Sequence, residues 1–246
     1  MRKVGKLAAE LLDLFVDKVK PGVTTESLDC FAYEFIKDNG AIPAPLNYRG
    51  FKKSICTSIN HVICHGIPSD RVLDEGDIVN IDVTLILDGW HGDTSRMYSA
   101  GNPSVKARNL INNTYEAMMK GINLIKPGVK LGDLGFVIQN HAETNNYSVV
   151  REFCGHGLGE VFHDEPNILH YGVEDTGLSL QEGMFFTVEP MVNIGKPESK
   201  ILSDGWTAVT RDRSLSAQFE HSVGVTSDGV EIFTRSLNKR ANPIEN

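Results

Sequence analysis

The sequence predicts an α+β fold in which two related halves, each a pair of helices followed by strands, wrap a central, curved and mostly antiparallel sheet. Three observations carry this. VKPGVTTESL at 19–28 recurs as IKPGVKLGDL at 125–134. EGDIVNID at 75–82 recurs as EGMFFTVE at 182–189, in the same order and at nearly the same offset. Between them, NIDVTLILDGWHGDTSRM at 80–97 is a β-branched run cut by Asp88-Gly89. That dipeptide is the strongest short hairpin signal, because a type I′ turn needs positive φ at both central residues. The recurring unit is too long for a solenoid repeat. Two such halves, about 1–103 and 104–246, packed about a pseudo-twofold axis give a single domain over 1–246, with helices outside the sheet.

Element by element, residues 2–19 read as an amphipathic helix with Leu7, Leu11, Leu14 and Phe15 on one face, stopped at Lys20-Pro21-Gly22. Thr25 is the expected cap of a second helix over about 26–38, with Leu28, Phe31, Phe35 and Ile36 inward and Asn39-Gly40 at its end. Proline-rich 41–50 reads as a loop and 53–59 as a strand, followed by CHGIP at 64–68 and the hairpin. A third helix covers about 104–125 and stops at the second Lys-Pro-Gly. In the second half, REFCGHGLGEVF at 151–162 leads into HDEP, and RSLSAQFEHSVGV at 213–225 reads as one more strand.

Composition narrows the function classes. A chain of 246 residues, 41% hydrophobic, can bury a full core. Its formal charge of −8 argues against a nucleic-acid footprint, which would be basic and clustered. Cys30, Cys56, Cys64 and Cys154 form no CxxC pair and read as reduced thiols of a cytoplasmic protein. No apolar run approaches the ~20 residues of a membrane span. Lys6, Glu10 and Asp13 interrupt the opening stretch that would otherwise resemble a signal peptide.

The chemistry is carried by acids in unexpected places. If Asp88-Gly89 is the two-residue loop, Leu87 faces Trp90, Thr84 faces Asp93 and Asp82 faces Ser95. Asp82 and Asp93 then lie on one face as diagonal neighbours, roughly 7–8 Å apart. Such carboxylates repel unless a positive charge lies between them, although the hairpin alone is equally compatible with a solvated polar face. The duplication aligns Asp82 with Glu189, each ending an apolar strand, and a twofold axis would bring them face to face. A buried, unpaired charge costs several kcal/mol. His156 stands between Gly155 and Gly157, which would let a backbone, metal or substrate come close, and Glu220 lies in the late strand beside Phe219 and His221. Together Asp82, Asp93, Glu189 and Glu220 carry a charge that two divalent cations would balance, with His156 neutral. Oxygen-rich donors with one imidazole suit Mn(II), Fe(II) or Co(II) better than a thiolate-bound structural zinc. Paired ions of this kind lower the pKa of water and make a nucleophile at neutral pH, which means hydrolysis.

With these motifs in place the sequence resembles the type I methionine aminopeptidases of the pita-bread dinuclear metallopeptidase family. The resemblance is carried by CHGIP, NIDV…HGDTSRMY, CGHGLG…FHDEPNILHY, EGMFFTVEPM and DGW…RSLSAQFEHSV, in the family's order and spacing, over residues 1 to about 233. It implies hydrolytic removal of the N-terminal methionine of nascent proteins, with a small second residue preferred, by a metal-dependent exopeptidase. It implies Asp82, Asp93, His156, Glu189 and Glu220 as ligands of two divalent ions (Co, Mn, Fe or Zn), with Asp93 and Glu220 bridging. His163 matches the donor to the scissile carbonyl, His65 the contact to the amide nitrogen after the cleaved bond, and Glu189 the proton shuttle. The substrate's free α-amino group would be held near Asp82. Tyr48, Phe51, Cys56, His65, Phe162, His163 and Trp206 match the substrate pocket, where aromatic and sulfur atoms suit a thioether. Asn60, Val62 and Ser216 match backbone ligands of a Na or K ion in some members. The implied setting is cytoplasmic, the expected state a monomer, and docking at the ribosome is left open.

Departures from the family pattern fall in the pocket. Lys52 stands where proline is common, His61 replaces an acid, Phe51 and Phe153 replace tyrosines, and Pro45 stands where some members have cysteine. The chain also opens inside its first helix, and whether Met1 is the native start stays open. Two alternatives compete. An X-Pro-type pita-bread enzyme would be expected to carry a large N-terminal domain. A non-catalytic pita-bread binding module would be expected to have substituted ligands, and here all five positions are filled.

Overall fold

A computed structural model of the protein describes residues 1–238, so residues 239–246 of the second half lie outside the described residues. In chain order the elements are α1 (Arg2–Phe15), α2 (Thr25–Asp38), β1 (Ile42–Pro43), β2 (Cys56–Ile59), β3 (Val62–Cys64), β4 (Ile78–Leu87) and β5 (Trp90–Ser99). The second half supplies α3 (Val105–Leu124), α4 (Leu131–Thr144), β6 (Ser148–Val149), β7 (Gly155–Gly157), β8 (Asp164–Ile168), β9 (Phe185–Val188) and β10 (Met191–Asn193). It ends with β11 (Ser199–Ile201), β12 (Ala208–Thr210), β13 (Ser216–Gln218), β14 (Glu220–Val225) and β15 (Val230–Ile232).

The main sheet has nine strands in the order β1-β4-β5-β14-β9-β7-β8, with β2 also on β4 and β15 on β14. Its pairings are antiparallel. Two three-stranded sheets, β13-β10-β6 and β11-β12-β3, flank it. The strands of the first half meet those of the second at β5 and β14.

The duplication is visible in matching hydrogen bonds. Gly22 (φ 89°) and Gly128 (φ 90°) turn the two Lys-Pro-Gly segments, a left-handed conformation that side-chain-bearing residues resist. Gly22 N–H donates to the Leu73 carbonyl and Gly128 N–H to that of Leu180, 2.8 and 2.9 Å. Leu73 and Leu180 return bonds to Val23 and Val129, both 2.8 Å. Each half also buries its own apolar cluster. Leu11, Leu12, Phe15, Leu28, Ile36, Val79, Ile81, Val83 and Tyr98 lie under α1 and α2. Leu110, Ile111, Met118, Ile122, Leu134, Ile138, Phe186 and Val188 lie under α3 and α4.

Several boundaries differ from the sequence expectation, each for a local reason. The first helix ends at Phe15, because Lys18 and Val19 N–H groups both donate to the Phe15 carbonyl and tighten a turn that buries Val19. The cap of α2 is Thr24, which accepts the Ser27 N–H at 3.2 Å, while Thr25 Oγ1 donates to the Ser69 carbonyl. The strand expected over 53–59 starts at Cys56, since Ser54 and Ile55 donate their N–H groups to Asp29 Oδ1 instead of a neighbouring strand. The 213–225 strand is two, β13 and β14, which break at Phe219 and pair with different sheets. The loop over 41–50 contains the short β1 and a 3-10 turn at Tyr48–Gly50. Among the described residues no helix is long and apolar enough to cross a membrane.

One buried ion pair ties the first helix to the sheet and to the segment after β15. Arg96 Nη1 on β5 donates to Asp13 Oδ1 at 2.8 Å, and the Ser236 hydroxyl donates to the same oxygen at 2.8 Å. Both charged side chains are at most 4% exposed. Asp13→Ala should therefore destabilise the protein by about 3–5 kcal/mol in urea unfolding, because Arg96 is left charged and buried. The double replacement Asp13→Leu/Arg96→Met should cost distinctly less; equal losses would show that the ionic character of the pair is irrelevant.

Candidate metal centre

The hairpin register is the one the Asp88-Gly89 turn dictates. Leu87 pairs with Trp90, Thr84 with Asp93 and Asp82 with Ser95, and the turn residues have φ of 52° and 83°. Extending the pairing in both directions gives a row across four strands. Cys56 pairs with Asp82, Asp82 with Ser95, and Ser95 with Glu220. Directly paired residues point to the same face, so Asp82 and Glu220 flank the small Ser95, two strand spacings or about 9–10 Å apart. Asp93 is two residues from Ser95 and shares its face. Ser95 Oγ accepts from Asn80 Nδ2 at 3.1 Å.

The second half brings the rest. His156 sits in β7, with Nε2 3.5 Å from Asp93 Oδ2 and 3.6 Å from Glu189 Oε1. Donor atoms of Asp93, His156 and Glu220 all lie within 4.8 Å of one another, and the three residues are buried. The glycines beside His156 serve strand packing rather than approach of an ion. A Cβ on Gly155 would lie 2.5 Å from the Thr187 carbonyl oxygen, and one on Gly157 would lie 2.1 Å from that of Glu165. The close approach is made by neighbouring backbone, which presses β7 into place.

Thr84, already placed opposite Asp93 by the hairpin, and three side chains not singled out from the sequence hold the acids. Thr84 Oγ1 donates to Asp93 Oδ1 at 2.7 Å. Thr187 Oγ1 donates to Glu189 Oε1 at 2.7 Å and accepts the His156 N–H at 3.0 Å, joining two candidate ligands through one hydroxyl. Gln218 Nε2 reaches Glu189 Oε2 at 3.4 Å, and His170 Nε2 accepts the Glu189 N–H at 3.0 Å. The two threonines had a signal: Thr84 is the direct cross-strand partner of Asp93 in the hairpin, and Thr187 lies two residues before Glu189, where period two places both side chains on one face. Gln218 and His170 had none, since their contacts are long-range.

Electrostatics bear on whether a metal fits. Burial, and then the charges of Asp93 and Glu189, push the Asp82 carboxyl well above the usual range. Glu220 is pushed the same way by burial and by Asp93, Glu189 and Asp82. Burial raises Glu189 to about 7 against the opposing pull of His156 and the Thr187 hydroxyl. Burial alone would lower His156, but the Asp93 hydrogen bond and the charge of Glu189 outweigh it and bring it to about 9. Asp82 Oδ1 is buried with no hydrogen-bond partner. An orphaned carboxylate oxygen beside a cluster of buried oxygens and one imidazole is the donor set that divalent cations take. The residues fit a metal.

The cluster forms the floor of a cavity of 380 Å³. Every residue expected in the substrate pocket lines it: Tyr48, Phe51, Cys56, His65, Phe162, His163 and Trp206. Their rings interlock, Phe51 with Trp206 at 5.2 Å and Tyr48 with Phe162 at 4.9 Å. His65, at φ 56°, stands edge-on to Trp206 and Phe153, and burial lowers its pKa. His163 is lowered to about 4 by burial and by the nearby His156. Met191, Thr84 and Pro45 also line the cavity, whereas Lys52 is exposed and is not part of the wall. Asn60 and Ser216 meet elsewhere, Ser216 N–H donating to the Asn60 carbonyl at 2.9 Å, with Val62 beside them in β3. A larger open groove of 820 Å³ lies near Met1, Trp90 and Phe233, and its lining includes no imidazole.

Comparison with known proteins agrees with this geometry. The profile of metallopeptidase family M24 matches residues 1–227. The methionine aminopeptidase of Rickettsia prowazekii (strain Madrid E) is 65% identical over 241 residues, covering 97% of this chain and 93% of that protein. The methionine aminopeptidase of Escherichia coli (strain K12) is 50% identical over 236 residues, covering 95% and 89%. The crystal structure of the Rickettsia prowazekii methionine aminopeptidase superposes with a TM-score of 0.94 at 64% identity, covering 95% of each chain.

Metal uptake should release protons, since the ion must replace those held by His156 at about 9 and Glu189 at about 7. Divalent-metal affinity should accordingly rise with pH between 6 and 9. Calorimetry at pH 7 in buffers of different ionisation enthalpy should give different observed heats. Identical heats would mean that the cluster already holds its acids unprotonated.

Proposed function

Because this chain belongs to metallopeptidase family M24, we propose that it is a methionyl aminopeptidase, a metallo-exopeptidase that hydrolyses the first peptide bond of polypeptides and removes their N-terminal methionine. One observation carries the reading. The buried acid–imidazole cluster and an aromatic, sulfur-bearing recess open into the same cavity, so a thioether side chain can be gripped beside the bond to be cut.

Asp82, Asp93, His156, Glu189 and Glu220 are the proposed ligands of two divalent ions, with Asp93 and Glu220 assigned to both. The number is supported by charge: four carboxylates in a poorly solvated cleft are balanced by two dications and left uncompensated by one. The oxygen-rich donor set favours manganese, iron or cobalt, with zinc also accommodated. When bound, such ions supply Lewis acidity for hydrolysis, polarising a carbonyl and lowering the pKa of water. Ligands from both halves make the two halves one catalytic unit.

The protein side chains do the remaining work. Tyr48, Phe51, Cys56, Phe162 and Trp206 hold the methionine side chain and exclude water from it. His163, kept neutral by burial, donates to the scissile carbonyl oxygen as charge develops there. His65 contacts the amide nitrogen of the leaving chain. Glu189 is the group that takes up and returns a proton, its carboxylate oriented by the Thr187 hydroxyl on Oε1 and the Gln218 amide near Oε2. The substrates are nascent chains with a small second residue, and a Na or K ion is assigned to the backbone of Asn60, Val62 and Ser216. A cytoplasmic setting is supported by four free cysteines; docking at the ribosome and a monomeric state belong to the same reading.

The metal-reconstituted protein should hydrolyse Met-Ala-Ser and leave Ala-Pro peptides intact; the reverse preference would overturn the assignment. Asp93→Asn and Glu220→Gln should lose both activity and bound metal. His163→Ala should lower kcat by about 10²–10³-fold, the range for a lost oxyanion donor, with metal content by elemental analysis unchanged. Loss of metal in step with activity would count against the role given to His163.

A further inference from the structure

We propose that Tyr48 is a positioning residue that selects the tautomer of His163: its phenolic O–H donates to Nδ1, so the single imidazole proton sits on Nε2, the nitrogen left to face the scissile carbonyl. The inference deepens the reading of His163 given above and rests on it.

A neutral imidazole has one N–H and one bare nitrogen, and its two forms behave oppositely toward a carbonyl. With the proton on Nε2 the ring donates; with the proton on Nδ1 it presents a lone pair that repels a developing oxyanion. The free side chain prefers the first form only modestly, and an acceptor role fixed on Nδ1 strengthens that preference. Tyr48 Oη lies 2.9 Å from His163 Nδ1, and the two rings are 5.2 Å apart. Among the described residues no hydrogen bond occupies Nε2.

The direction of the Tyr48–His163 bond follows from the partners. A phenol hydroxyl is a strong donor, and a bare imidazole nitrogen accepts better than a phenol oxygen. Among the described residues His163 is the hydroxyl's one hydrogen-bond partner. Arg49 lies over the Tyr48 ring at 5.3 Å, and its cation draws electron density from the ring, sharpening the O–H as a donor.

The backbone holding Tyr48 is itself constrained. Asn47 and Arg49, on either side, have φ of 68° and 46°, left-handed conformations that non-glycine residues keep only where their surroundings hold them. One side chain thus has two faces of use: its ring lines the methionine recess and its hydroxyl reaches the oxyanion donor. Phe51, on the same loop, contributes a ring without a hydroxyl.

The test is long-range ¹H–¹⁵N spectroscopy of histidine-labelled full-length protein loaded with zinc, and again after chelation, with His163 assigned by comparison with His163→Gln. The wild type should show a bare Nδ1 and a protonated Nε2. Tyr48→Phe keeps the ring and removes the hydroxyl. The Nδ1-protonated form should then become readily detectable, and kcat on Met-Ala-Ser should fall about fivefold with KM within about twofold, the loss expected for one neutral hydrogen bond. A protonated Nδ1 in the wild type overturns the proposal without any variant, as does an unchanged tautomer pattern in Tyr48→Phe. Should the wild-type protein show the expected tautomer yet fail on methionyl peptides, the function assigned to His163 fails while the selection of its tautomer stands.

Discussion

Four carboxylates and an imidazole crowded into one buried cleft are the constraint on which the molecule is built. Donor atoms of Asp93, His156 and Glu220 lie within 4.8 Å of each other, and Asp82 keeps a buried oxygen without a partner. In water such a group of acids would separate. Here Asp82, Asp93 and Glu220 are fastened to strands and Glu189 directly follows one, so their positions are set by sheet register. Burial raises Glu189 to about 7, and the neighbouring acids Asp93 and Glu189 hold His156 at about 9, so protons relieve part of the strain. Divalent cations would remove the rest, and the same crowding that destabilises the cluster would become affinity for the ions.

The scaffold behind the cluster is rigid by construction. Each half carries a helix pair over its own apolar core, and β5 pairs with β14 where the two halves meet. The acids therefore stand on strands supported from behind, while hydroxyls on the same strands hold them. Thr84 fixes one oxygen of Asp93, and Thr187 fixes one of Glu189 together with the backbone of His156. Ligands placed this way need little reorganisation when an ion arrives, the usual advantage of building a site on regular elements.

The opposite wall of the cavity is made of loops and rings. Tyr48, Phe51, Phe162, His163 and Trp206 come from three separate connections and touch one another through ring contacts. In the proposed reading this wall sorts substrates by shape, whereas the floor performs the chemistry. His163 belongs to both: it packs against Phe162 with ring centroids 4.0 Å apart and lies 4.3 Å from His156. Its hydrogen bond to Tyr48 joins the two walls of the cavity, which in the proposed reading couples recognition of the side chain to the donor at the scissile bond.

Much of this was legible in the chain itself because it depends on local rules. Asp88-Gly89 sets a two-residue turn, and the turn alone determines that Thr84 faces Asp93 and Asp82 faces Ser95. The two Lys-Pro-Gly segments and the aligned acids Asp82 and Glu189 announced paired halves, and family motifs pointed to the five proposed ligands and the proposed pocket residues, which line one cavity. Other features depended on contacts that sequence spacing does not encode. The break at Phe219 comes from β13 and β14 serving different sheets. The shortened strand before Cys56 comes from Asp29 capturing two N–H groups. The glycines beside His156 answer to neighbouring strands. Sequence by itself determined which residues face together, since strand and turn periodicity are short-range; only the tertiary structure decided which atoms meet, because the grips of Gln218 and His170 on Glu189 and of Tyr48 on His163 join segments whose distance in space is set by the packed fold.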